Sequence, residues 1–134
     1  MPNTQATGVA YSDPEFTTCY ASQEIGYSAA AQGAVTQATD KSTGVTLNTS
    51  AGRITMNAAS LAANTAVSFT LTNNTISAND AIIVNVSGGG TAAAYTTYIS
   101  SMTAGSAVVT LRNLTGGALA EAVVLNFAII HGAS

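Results

Sequence analysis

The sequence predicts an all-β protein, an antiparallel β-sandwich of jelly-roll-like form, entered by an extended N-terminal arm. Residues 66–72 and 107–112 alternate apolar and polar side chains with the period of a half-buried strand. Turn-forming clusters punctuate the chain at Asn73-Asn74, Asn79-Asp80, Gly88-Gly89-Gly90, Thr103-Ala104-Gly105 and Gly116-Gly117. Their spacing, about ten residues, suits a small antiparallel sandwich. Large apolar residues are unevenly placed: residues 1–32 hold only four of the 31 Ile, Leu, Val, Met and Phe, namely Met1, Val9, Phe16 and Ile25. That divides an arm, residues 1–32, from a sandwich domain, residues 33–134.

The elements follow in order. Val45–Leu47 and Arg53–Met56 are short strand candidates. Residues 57–64 are too few for a stable helix and read as a connection that carries Leu61 into the core. In 66–72, Val67, Phe69 and Leu71 face inward while Ser68, Thr70 and Thr72 face out. Ala81–Val86 is apolar on both faces, which places it centrally in a sheet or against a neighbouring subunit. Tyr95–Ile99 is a further strand. In 107–112, Val109 and Leu111 face inward, Thr110 and Arg112 outward. The last strand, Ala122–Ile130, is again apolar on both faces: Val123, Leu125, Phe127 and Ile129 on one, Ala122, Val124, Ala128 and Ile130 on the other. It is expected as a core strand or an oligomer interface. Asn126, its one polar residue, then needs a buried hydrogen-bond partner.

Composition narrows function. The 134 residues carry three basic and six acidic side chains, too few cations to neutralise a phosphate backbone, so nucleic-acid binding is not expected. One Cys and one His build neither a zinc site nor an internal disulfide. No apolar run is long enough to span a membrane, and Met1–Gln5 shows neither the basic nor the apolar region of a secretory signal. No cofactor or metal is expected. Charge is divided like hydrophobicity: residues 1–40 carry Asp13, Glu15, Glu24 and Asp40 with no basic residue, while residues 41–134 carry Lys41, Arg53 and Arg112 against Asp80 and Glu121.

Candidate chemistry is sparse. His131 follows an apolar strand with no triad partner near it in sequence, so it reads as a strand-end histidine. Cys19 has no basic residue before Lys41 to activate it. The few titratable groups of the body are scattered along the sequence, so an enzyme is not expected. The arm is more informative. Tyr11, Phe16, Tyr20 and Tyr27 place four rings in a segment poor in aliphatics, and rings supply much contact area per residue ordered. They read as anchors for docking on a partner or sister subunit, against the alternative of an arm folded over its own sheet edge.

The segments Gly33–Asn48, Gly52–Asn57, Ser68–Asn73 and Glu121–Ile130 resemble small β-modules in virion structural proteins of tailed bacteriophages, found in capsid decoration (cement) proteins and fibre-like proteins. The resemblance covers residues 33–134 and not the arm. It implies a non-enzymatic protein on the outer capsid surface of the virion. Such a protein binds the major capsid protein, stabilises the shell and is commonly a homotrimer. It brings no catalytic residues. A receptor- or carbohydrate-binding module at a tail or fibre tip is the alternative. For that role Tyr95 and Tyr98, three apart on one strand and so on opposite faces, make a poor sugar platform.

Overall fold

The alternating segments fold as strands. A computed structural model describes residues 15–133. After a short 3₁₀ turn, Ala29–Ala31, come β1 (Gln32–Thr36), β2 (Val45–Thr46), β3 (Ala51–Thr55), β4 (Ala66–Thr72), β5 (Ala81–Gly88), β6 (Tyr95–Thr103), β7 (Ser106–Asn113) and β8 (Val124–Ile130). They form two four-stranded sheets, ordered β1-β3-β8-β5 and β2-β4-β7-β6. The sheets pack as a sandwich, and every connection between consecutive strands except the β6–β7 hairpin crosses from one sheet to the other.

The core lies between the sheets. Ile54, Leu125, Phe127 and Ile129 of the first sheet meet Phe69, Leu71, Val109 and Leu111 of the second, with Met56, Leu61, Ile76 and Val123 added from connections. The inward and outward alternation of β4 is as the sequence predicts. Residues 57–64 form no helix, and Leu61 is buried, bridged through its backbone to Leu119.

Four expectations are corrected. β1 is a strand that sequence alone misses, and the 3₁₀ turn and Gln32 show regular structure already within the segment read as the arm. The sandwich is not wholly antiparallel: β1 pairs with β3, and β2 with β4, in parallel. β5 is an edge strand, paired among the described residues only with β8, so it does not lie centrally in its sheet, and Ile83 on its outer side is exposed in the single chain. Thr110 is buried although alternation turns it outward. Ser68 lies directly opposite it on β4, and a register shift between Ile99 and Ser101 leaves Ser100 of β6 beside it, so both hydroxyls bond to its own.

β8 is central, as its composition predicts, with β3 on one side and β5 on the other. Its two faces differ, however. Val123, just before it, and Leu125, Phe127 and Ile129 are buried in the chain's own core. Val124, Asn126 and Ala128 are half-buried on the outer face, and Ile130 is 58% exposed there. Asn126 therefore lacks the buried partner expected of it; its Oδ1 accepts a long 3.4 Å bond from Arg53 Nε at the surface.

Candidate functional site

The residues singled out in the sequence fall in three places. Tyr11 lies outside the described residues. Phe16 and Tyr20 are exposed, Tyr20 by 92%, as is Ile25. Tyr27 is different. It is half-buried against its own body, its hydroxyl donates to the Ile129 carbonyl, and its ring meets His131 edge-on with centroids 6.3 Å apart. The arm is thus rooted on the sandwich at Tyr27, while Phe16 and Tyr20 face solvent.

That root opens onto the outer face of the first sheet. Register places Ala81 opposite Ile130 and Ile83 opposite Ala128 on β5 and β8, and Ala51 opposite Ala128 on β3. Short side chains leave a trough of about 440 Å³ over β1, β3 and β8, bordered by Gln32, Ala34, Ala51, Arg53 and Asn126. The face therefore combines exposed aliphatics at its β5 side with one guanidinium. The only tyrosines of the body split as expected, Tyr95 packing inward and Tyr98 outward.

A third cluster was missed by sequence reasoning: His131 stands at the end of β8 as expected, but it has partners that are distant in sequence. The β3–β8–β5 order brings the start of β3, the end of β8 and the turn before β5 together. His131 Nδ1 lies 3.1 Å from Asp80 Oδ2, and His131 Nε2 lies 2.9 Å from Ser50 Oγ. The Asp80 side chain is fully buried, whereas that of His131 is 39% exposed. Asp80 also accepts from the Ser77 backbone N–H and hydroxyl, both at 2.8 Å, and from the Gly132 N–H at 2.9 Å. The Ser77 amide chiefly, with the other donors, holds its carboxyl down to about 2, against burial, which opposes ionisation. Gly132 is required here, because a Cβ at that position would overlap the Asn79 carbonyl.

A second buried polar cluster lies around Lys41, whose ammonium donates to the Asn57 and Glu121 carbonyls. Burial lowers the Lys41 pKa, and the Glu121 charge opposes that shift. The Glu121 carboxylate accepts from the Thr91 backbone and hydroxyl and from the Tyr95 hydroxyl. These bonds lower its pKa, while burial first and Glu121 second raise that of Tyr95. With its carbonyl and carboxylate partners satisfied, this cluster ties loops together.

No family model, curated protein or solved structure matches the chain. Function therefore rests on the surfaces and clusters just described.

Proposed function

We propose that this chain is a virion structural protein, a capsid decoration (cement) protein that binds the major capsid protein and stabilises the shell from outside as a homotrimer. The observation that carries the reading is the exposure of Phe16, Tyr20 and Ile25 on an arm whose root, Tyr27, is fixed to the body. Large side chains held in water have little to contribute to the chain's own stability, and they gain by burial on a partner. The acidic arm and nearly neutral sandwich suit a part present in many copies on one shell, where strong like charge would repel. The resemblance of residues 33–134 to phage β-modules supports the same reading.

The test is reconstitution. Purified protein is added to shells of its virus that lack it, and binding and heat resistance are measured. Binding with a gain in heat resistance is expected, together with loss of binding in the double variant Phe16→Ser, Tyr20→Ser. Absence of binding by the natural chain overturns the proposal. Light scattering gives the free assembly, where a mass of three times 13.3 kDa is expected.

A further inference from the structure

We infer that Ser50 is an activated nucleophile that accepts an acyl group from a carboxylic ester, with His131 as its base and Asp80 as the residue that positions the imidazole. The inference is independent of the shell-binding reading and goes beyond it.

Three features carry it. The first is geometry. One imidazole is bonded at both nitrogens, to a hydroxyl at 2.9 Å and to a carboxylate at 3.1 Å. Both distances fall in the range that proton transfer through a histidine requires. The carboxylate is acceptor-only, so the hydrogen-bond network assigns the imidazole proton to Nδ1. That leaves the Nε2 lone pair facing the Ser50 hydroxyl, the tautomer a general base needs.

The second is rigidity. The Asp80 carboxylate is held by three donors besides His131. The Ser50 carbonyl accepts from the Ile129 N–H at 2.8 Å, which fixes the backbone beneath the hydroxyl. His131 follows the central strand directly, and Tyr27 lies edge-on to its ring.

The third is redundancy. A bland account has the histidine merely pinning residues 131–133 to the body. That segment is already pinned without it, by the Gly132 N–H to Asp80 and by Asn79 Nδ2 to the Ala133 carbonyl at 2.8 Å. Ser50, whose hydroxyl an electrophile must reach, is partly open to solvent, as is the imidazole, while the carboxylate is not.

The chemistry balances without a co-reactant other than water. Ser50 Oγ bonds to the ester carbonyl carbon as its proton passes to His131 Nε2. The carbon–alkoxide bond breaks, and the same proton leaves with the alcohol. Water then releases the acid from the acyl-serine by the reverse route. A fluorophosphonate reports the first half: the oxygen–phosphorus bond forms, the phosphorus–fluorine bond breaks, and fluoride departs.

The experiment treats the full chain with a biotinylated fluorophosphonate and maps the adduct by mass spectrometry. Of the chain's 13 serines, Ser50 alone is expected to be labelled. His131→Gln is expected to slow labelling by about 100-fold or more. Ser50→Ala, which leaves imidazole and carboxylate in place, is expected to lose the label while melting near the natural chain. Labelling spread over several serines, no adduct at Ser50, or an adduct forming equally fast in His131→Gln overturns the inference. Because the natural chain is itself a test, the result does not hinge on a variant folding.

Discussion

Two truncations on one strand separate core from surface. Leu125 is fully buried and pairs with Ile54 and Val86 across β3 and β5. Removing its side-chain carbons forfeits their transfer energy and leaves a cavity in a packed sandwich, so Leu125→Ala is expected to cost about 3–4 kcal/mol. Five residues on, Ile130 is 58% exposed. Less than half of its burial energy is at stake within one chain, so Ile130→Ala is expected to cost about 1 kcal/mol or less. For a domain of this size, about 4 °C of melting temperature is lost per kcal/mol. The two variants should therefore melt roughly 12–16 °C and at most about 4 °C below the natural chain. Thermal melts and urea titrations at two protein concentrations, well apart, make the comparison. The reasoning fails if Ile130→Ala is as damaging as Leu125→Ala. If the loss also depends on protein concentration, the outer face of β8 is buried between copies and the single sandwich is not the folding unit. A small loss at Leu125 would displace the core.

Three further outcomes are expected. Asn113→Ala should cost about 3 kcal/mol by chemical denaturation, because buried groups left unpaired are expensive; the side chain donates to the Leu61, Ala62 and Gly117 carbonyls and accepts from Thr115. Gly89→Ala should lower the melting temperature strongly, since Gly89 holds φ at +73° and a Cβ would strike the Ala122 carbonyl. The stability contributed by Asp80 should be fully present above about pH 4 and fade as pH falls. Its carboxyl sits at about 2 when folded against 3.8 unfolded, so the unfolded chain takes up the proton first. Asp80→Asn should flatten the acid limb of a stability–pH curve in that window.

Strands with strict alternation were legible because their signal is local. β4 and β7 show it within seven or eight residues, and the burial of Phe69, Leu71, Val109 and Leu111 follows. β1 was not, because Gln-Gly-Ala-Val-Thr offers one large apolar residue, Val35; its pairing with β3 is a tertiary fact. The double apolar pattern of β5 and β8 marks a central strand for β8 but an edge strand for β5, since two-sided hydrophobicity does not say whether a second strand lies alongside. Tyr27 differs from Phe16 and Tyr20 only in lying next to the first structured turn, which no ring count reveals. The Ser50, Asp80 and His131 cluster was invisible for the strongest reason. Its members are far apart in sequence, and only the β3–β8–β5 order makes them neighbours.

That order also bears on how the protein is made. β3 and β5 are translated well before β8, yet each finds its neighbour in the first sheet's interior only when β8 slides between them. Until then the first sheet is a parallel pair and a separate strand, neither of which has a partner to complete its apolar side. A chain emerging from the ribosome therefore holds Ile54, Ile82 and Val84 in water until residues 124–130 are free, and the sandwich closes in one late step dominated by distant contacts. Substitutions that weaken β8 should reduce soluble yield more than their effect on the finished fold implies.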